Sequence, residues 1–77
     1  MEDHVYKQIE ITGSSTKSSD DAVRRAIEKA GESVTHMDWF KVVETRGNIE
    51  QSKVKYWQVT IKIGFRVEDR SEEHTSE

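Results

Sequence analysis

The chain has no cysteine, no long apolar run and no excess of basic charge. Without cysteine it can form neither disulfides nor thiolate metal sites. No apolar stretch approaches the ~20 residues that a membrane-spanning helix needs, and the first residues lack the basic start and apolar core of a signal peptide. We therefore expect a cytoplasmic protein that does not bind membranes.

The charge balance also bears on the choice of partners. The formal net charge is −3 and the pI is near 5.6, whereas nucleic-acid-binding domains usually carry a basic stripe and a high pI. The histidines His4, His36 and His74 do not show the spacing of metal ligands. The sequence thus predicts neither a nucleic-acid partner nor a metal site.

The length of the chain limits the size of its core. A chain of 77 residues forms one domain at most, and its core supplies only ~3–5 kcal/mol. Domains of this size usually gain stability from disulfides, a metal or association. Since the first two are excluded, the sequence predicts a homo-oligomer.

The apolar pattern predicts one helix and three strands. Residues 5–12 alternate between apolar and polar side chains, as in a half-buried strand, and residues 13–18 form a polar connection. Apolar residues at helical spacing follow the N-cap Ser18, and the helix is expected to end at about residues 33–35. Two long strands come last, Met37–Glu50 and residues 53–67, joined by a short turn at Gln51 and Ser52.

These elements predict an α+β fold of the order β-α-β-β, in which a three-stranded antiparallel sheet is partly wrapped around one helix. Residues 1–67 are interpreted as a single domain, and the polar, acidic residues 68–77 as a disordered tail. The last two strands are far longer than the usual ~5–6 residues, so one helix cannot cover the sheet. The face turned away from the helix, the open face, is left for subunit contacts or ligands.

Strand parity places two noteworthy side chains on the open face. The apolar residues of the last strand are expected to face the helix, so the intervening Gln58 faces away from it. Phe40 is expected to face the helix, which puts its neighbour Trp39 on the open face. Arg46 beside Gly47 indicates a bulge or bend.

The turn position predicts a register in which paired residue numbers sum to about 103. Trp39 then lies opposite Gly64, and Gln58 lies opposite Thr45. The two open-face side chains are about six residues, on the order of 20 Å, apart along the strand. A small ligand that touches both must therefore be held by different subunits.

Simpler interpretations of the same residues exist. Composition alone favours Trp39 as a filler of a subunit interface and Trp57 as a core or interface residue, with Gln58 an ordinary solvated side chain. Large aromatic side chains on a small sheet nevertheless call for a flat partner, which can be another subunit or an aromatic ligand.

The ordered set of residues resembles the dodecins, small flavin-binding proteins that assemble as hollow dodecamers. The resemblance spans residues 4–67, and no single motif in it is diagnostic. The residues that carry it are His4-Val5-Tyr6-Lys7, Ile9-Glu10-Ile11-Thr12-Gly13-Ser14-Ser15, Asp21-Ala22-Val23, Ala26-Ile27, Ala30, Trp39-Phe40, Val42, Arg46-Gly47, Ile49, Val54, Gln58-Val59-Thr60, Lys62 and Gly64-Phe65-Arg66.

The resemblance implies a flavin site. In this family, flavins bind as antiparallel stacked pairs between two symmetry-related tryptophans, and Trp39 occupies the matching position. Gln58 matches the glutamine that bonds the polar edge of the isoalloxazine ring, and Arg46 matches an arginine near the flavin. Asn48 stands where members often have histidine, which leaves the choice between FMN and riboflavin open.

Bacterial members can also carry coenzyme A, and the positions that would contact it in this chain are Tyr6, Lys29 and Arg66. From these residues we hypothesise storage and buffering of FMN or riboflavin, with Trp39 quenching the excited flavin, and no catalysis. A structural or coenzyme A-carrying shell without a flavin role is the alternative. A flavoenzyme is a third interpretation, for which the sequence offers no catalytic residue.

Overall fold

The computed structural model describes residues 3–67, which form a helix and a single sheet. The elements are β1 (Tyr6–Ser15), α1 (Ser19–Ala30), β2 (Met37–Glu50) and β3 (Lys53–Arg66). Both strand pairs are antiparallel, and the strand order is β1-β3-β2. The predicted β-α-β-β fold is therefore confirmed, whereas the predicted tail, residues 68–77, lies outside the described residues.

Strand β1 is longer than the sequence pattern suggested. The polar residues 13–15, assigned to a connection, continue the ladder with β3 as far as the pair Ser15 and Trp57. Ser15 is 6% exposed; its hydroxyl donates to the Asp21 carboxylate at 2.6 Å and accepts from the backbone N–H of Lys17 at 2.9 Å. A polar strand end is stable here because the start of the helix satisfies its hydrogen bonds.

Helix α1 begins as predicted and ends earlier. The hydroxyl of Ser18 accepts from the N–H of Asp21 at 3.0 Å, which is an N-cap. The helix ends at Ala30, three to five residues before the predicted end, because the N–H groups of both Ser33 and Val34 turn back to the Ala30 carbonyl. A tight turn thus replaces the expected last helical turn.

The core lies between α1 and the helix-facing side of β1 and β3. Its buried residues are Ala22, Ala26, Val59, Ile61 and Ile63, so the predicted inward face of β3 is confirmed for its central residues. A Cβ added to Gly13 would overlap the carbonyl oxygen of Ala22 and lie 2.9 Å from the Cβ of Ala26. The helix can lie this close to β1 only because position 13 has no side chain.

The helix does not cover β2. It packs on β1 and β3, and the helix-facing side chains Phe40 and Val42 of β2 remain 47% and 49% exposed. These two residues lie on the predicted face without being part of a core within this chain. They leave an apolar groove between β2 and the helix, lined by Val23 and Ile27.

The β2–β3 pairing carries three irregularities, none of them at Arg46 and Gly47; of the bulge or bend expected there, the bulge is therefore wrong. The register shifts by one residue at Asp38 and at Val43 on β2, and again at Lys55 on β3. Trp39 lies opposite Gly64 as predicted, whereas the shift at Val43 places Gln58 opposite Arg46 rather than Thr45. A bulge inserts one unpaired residue, so every pair between two bulges moves by one.

We expect Gly13→Ala to destabilise the fold by ~1–3 kcal/mol, because the added methyl group would push α1 away from β1. Gly31→Ala is the matched control, since its φ of −66° suits alanine and its Cβ would meet the flexible end of Met37 at 3.3 Å and two backbone carbonyl oxygens at an ordinary 3.5 Å. Denaturant midpoints at one fixed protein concentration measure both changes. Equal effects of the two substitutions would contradict the close helix–strand contact.

The hairpin turn offers a stabilising change. Gln51 and Ser52 both adopt positive φ, 53° and 64°, which is the geometry of a type I′ turn that favours Asn-Gly. Replacing the pair by Asn-Gly should raise the unfolding free energy by about 1 kcal/mol, since it relieves left-handed strain. Ser52→Val, which puts a branched side chain at positive φ, should lower the same denaturant midpoint; an unchanged or higher midpoint would count against this turn geometry.

Candidate functional site

The open face of the sheet is organised in rows of paired residues. Residues directly opposite each other in an antiparallel sheet point to the same side, and the register therefore assigns the open-face side chains. From one end of the sheet to the other, the rows are Tyr6 and Arg66; Gln8, Gly64 and Trp39; Glu10, Lys62 and Lys41; Thr12, Thr60 and Glu44; Ser14, Gln58 and Arg46; and Tyr56 and Asn48. The predicted open-face placement of Trp39 and Gln58 thus agrees with the structure.

The indole of Trp39 lies across Gly64. A Cβ added to Gly64 would overlap Cε2 and Cζ2 of the indole, with Cη2 at 2.7 Å. Gly64 is buried beneath this ring, while Trp39 itself is 40% exposed. The missing side chain lets the ring rest on the backbone of β3 and leaves indole surface available for a flat partner.

Tyr6 and Asp38 flank the indole. The ring centroids of Tyr6 and Trp39 are 6.3 Å apart, with an interplanar angle of 55°, and the Tyr6 hydroxyl donates to Oδ2 of Asp38 at 3.1 Å. This hydrogen bond, with some burial and the charge of Asp38, raises the pKa of Tyr6, while Arg66 acts in the opposite direction. The phenol therefore stays protonated, and its O–H group points at the Asp38 carboxylate.

A second group of polar side chains surrounds Gln58. Ser14 and Arg46 are its neighbours on β1 and β2. In the next row, Nδ2 of Asn48 donates to the Tyr56 hydroxyl at 3.0 Å. Three of the four predicted flavin residues are thus adjacent, and together they offer an amide, a guanidinium and hydroxyl groups that can bond the rim of a polar ligand.

The two groups are separate within one chain. Gly64, under the indole, and Gln58 are six residues apart on β3, which corresponds to roughly 20 Å along a strand. An isoalloxazine ring cannot bridge this distance. We name these two groups the Trp39 half-site and the Gln58 half-site; a ligand of this size that contacted both would need them from different copies of the chain.

The three residues considered for coenzyme A do not form one site in a single chain. Tyr6 and Arg66 are paired beside the Trp39 half-site. Lys29 lies on α1, across the sheet, with its ammonium 3.4 Å from the Glu32 carboxylate. A ligand that contacts all three would also need more than one copy.

Sequence reasoning did not single out Asp38 or Tyr56. Asp38 lies in a bulge, whose position no residue pattern announces, and Tyr56 gains its role only from the shifted register that brings it opposite Asn48. The isolated Gly64 in an otherwise alternating strand was the available signal for a close contact.

Residues 3–67 contain neither a candidate metal site nor a candidate membrane-spanning helix. No group of three or more histidine, cysteine, aspartate or glutamate side chains in this range could hold a metal ion. The one helix of this part of the chain, 12 residues long, is too short to span a membrane.

The fold and the site define a small sheet protein with an exposed tryptophan platform, and comparison with known proteins places it in a family. The family model described as Dodecin matches residues 5–68. Dodecin from Thermus thermophilus is 40% identical over 65 residues, which cover 84% of this chain and 94% of that protein. The chain belongs to the dodecin family.

Solved structures agree with this assignment. The structure of dodecin from Streptomyces coelicolor has a TM-score of 0.83 and 42% sequence identity, covering 90% of this chain and 99% of that one. Dodecin from Streptomyces davaonensis has a TM-score of 0.82 and 38% identity, covering 88% and 100%. The similarity thus extends over nearly the whole length of these relatives.

We expect Gly64→Ala to displace the indole of Trp39, because the new methyl group would occupy the space of the ring. In a Trp57→Phe background, the emission of Trp39 should shift toward that of a fully exposed indole. Lys62→Ala, on the same face of β3 one row away, is the matched control and should leave the emission unchanged. The same emission in all three proteins would contradict the seating of Trp39 on Gly64.

Proposed function

We propose that this protein stores and buffers flavin, holding FMN or riboflavin as stacked pairs between the Trp39 side chains of neighbouring subunits in a homododecameric shell. The observation that carries the proposal is the Trp39 half-site, in which the indole is seated on Gly64 and residue Trp39 remains 40% exposed. A ring fixed in this way is a preformed stacking surface for another flat aromatic group.

The Gln58 half-site suits the rim of the same ligand. An isoalloxazine ring carries several acceptors and one donor at its polar edge, and a glutamine carboxamide both donates and accepts hydrogen bonds. Arg46 is adjacent to Gln58 and can pair with a flavin phosphate. Asn48, already bonded to Tyr56, would contact the flavin side chain.

Energetics explain why the pocket needs an assembly. One aromatic contact contributes ~0.5–1.5 kcal/mol beyond area burial, whereas micromolar binding requires about 8 kcal/mol. Stacking on Trp39 and on a second flavin buries both faces of each ring, and the Gln58 half-site of another subunit satisfies the rim. The half-exposed Phe40 and Val42 of β2 are apolar surface that the same assembly can cover.

A storage role is favoured over catalysis. Within residues 3–67, Ser15 donates a hydrogen bond directly to Asp21, whereas a serine–histidine–aspartate catalytic set needs a histidine between them. Asp21 also accepts a hydrogen bond from Arg25 at 2.7 Å. Membership of the dodecin family also supports binding and storage. Trp39 in contact with the ring would quench the excited flavin by electron transfer, which limits photochemical damage.

A fluorescence titration of flavin with refolded, ligand-free protein tests the proposal. Quenching should saturate near one flavin per chain on a large particle. Trp39→Ala should weaken binding at least about tenfold and restore emission from the flavin that remains bound. Gln58→Ala should weaken binding by up to about tenfold, as expected for one hydrogen bond of ~0.5–1.5 kcal/mol, while bound flavin stays dark.

Trp57→Phe is the matched control, because Trp57 lies on the other face of β3, opposite Gly47. Its affinity and quenching should equal those of the parent protein. Tight binding of dark flavin by Trp39→Ala would overturn the role of Trp39. An intact large particle that quenches no flavin would favour the structural or coenzyme A-carrying shell.

A further inference from the structure

Tyr6 makes two contacts, with Trp39 and with Asp38, that are not needed for flavin to stack on Trp39. Its ring is the aromatic neighbour of Trp39, at 6.3 Å between centroids. Its hydroxyl donates a hydrogen bond to the carboxylate of Asp38 at 3.1 Å. Asp38 is the bulged residue directly before Trp39, so the same backbone irregularity that aims the indole also brings a base to the phenol.

A phenol that can transfer its proton to a base is a better one-electron donor than one without a base. Oxidation of tyrosine makes the phenolic proton strongly acidic, and the electron leaves readily only when an acceptor for that proton is already hydrogen-bonded. A tyrosine with such an acceptor can reduce an oxidised indole. The Asp38 carboxylate is in place for this, and the hydrogen bond keeps the proton on the phenol in the resting state.

We propose that Tyr6 and Asp38 form a proton-coupled electron-donor site that re-reduces Trp39 after it has been oxidised by photoexcited flavin. The inference rests on the proposed flavin function. Its role is to repair the indole radicals that outlast direct return of the electron from the flavin, before dissolved dioxygen converts them irreversibly.

The electrons and protons balance around a closed cycle. Photoexcited flavin, when bound, would supply the oxidant: Trp39 would lose one electron to it and become an indole radical cation. Tyr6 passes one electron to the indole and its phenolic proton to Oδ2 of Asp38, giving neutral tryptophan, a neutral tyrosyl radical and a carboxylic acid. The tyrosyl radical would regain that electron from the reduced flavin while Asp38 returns the proton to the phenol.

The composition of the chain makes this site easy to test. There are two tryptophans and two tyrosines, and in a Trp57→Phe background Trp39 is the sole indole. The second tyrosine, Tyr56, accepts a hydrogen bond from Asn48 at the far end of the open face. Tyr56→Phe therefore removes a phenol at the opposite end of the same chain's open face, and it serves as the control for the measurement without flavin, since Tyr56 belongs to the Gln58 half-site.

The first measurement needs no flavin. Azide radicals generated by pulse radiolysis oxidise the indole, and the conversion of the tryptophan radical to a tyrosyl radical is followed by its absorption. A proton lost from the indole to water is regained when the indole is reduced. We expect a first-order conversion whose rate is independent of protein concentration and slower in deuterated water.

The variants separate the roles of the two residues. Tyr6→Phe keeps the ring and should slow the conversion at least tenfold, whereas Tyr56→Phe should leave it unchanged. Asp38→Asn keeps the size of the side chain and should slow the conversion severalfold, with a changed isotope effect. An unchanged conversion in Tyr6→Phe overturns the donor, and an unchanged rate and isotope effect in Asp38→Asn overturn the proton acceptor.

A second measurement links the site to flavin. Under continuous illumination with bound FMN, mass spectrometry should show oxidised Trp39 accumulating severalfold faster in Tyr6→Phe than in the parent or in Lys62→Ala, with equal flavin quenching in all three. Absence of flavin quenching in every protein would refute the proposed function and leave the radiolysis result standing. Normal quenching with equal Trp39 loss in all three would refute the repair role alone.

Discussion

The structure depends on a mismatch between the length of its helix and the length of its strands. Twelve helical residues span about 18 Å, whereas fourteen strand residues span roughly 46 Å. The helix packs on β1 and β3, where the absence of a side chain at Gly13 allows a close approach. The helix leaves uncovered the apolar side chains of β2 and the open face of the sheet, so anything that covers these surfaces must come from outside the chain.

The sequence allowed the fold and the face of each key side chain to be predicted, because alternation along β3 is regular. The pairing of Trp39 with Gly64 also followed from the turn position. The partner of Gln58 could not be predicted, because it depends on the bulge at Val43, and a bulge is set by the twist and packing of the whole sheet rather than by a local residue preference. The same holds for Asp38, whose contact with Tyr6 arises from another bulge.

The helix boundaries show a related limit. The N-cap Ser18 could be predicted because its hydroxyl accepts a hydrogen bond from a backbone N–H in the first turn of the helix, which is a local interaction. The end at Ala30 was not, since Gly31, Ser33 and Val34 turn back onto the last carbonyls through backbone bonds that any residue can make. Ser15, which is buried in β1, was assigned to a loop because it is polar. Its hydroxyl is hydrogen-bonded to Asp21 and to the loop backbone, and only the folded chain brings these groups together.

The distance between the two half-sites has a consequence for mixtures of chains. Under the proposed function, a subunit that lacks Trp39 but keeps Gln58, and another with the opposite defect, would each supply what the other is missing at some of their shared pockets. Co-expressed defective alleles would then complement each other in part. Conversely, a defective chain would also impair the pockets that it shares with normal chains. In a mixed assembly, the loss of flavin-binding capacity would then be larger than the fraction of defective chains.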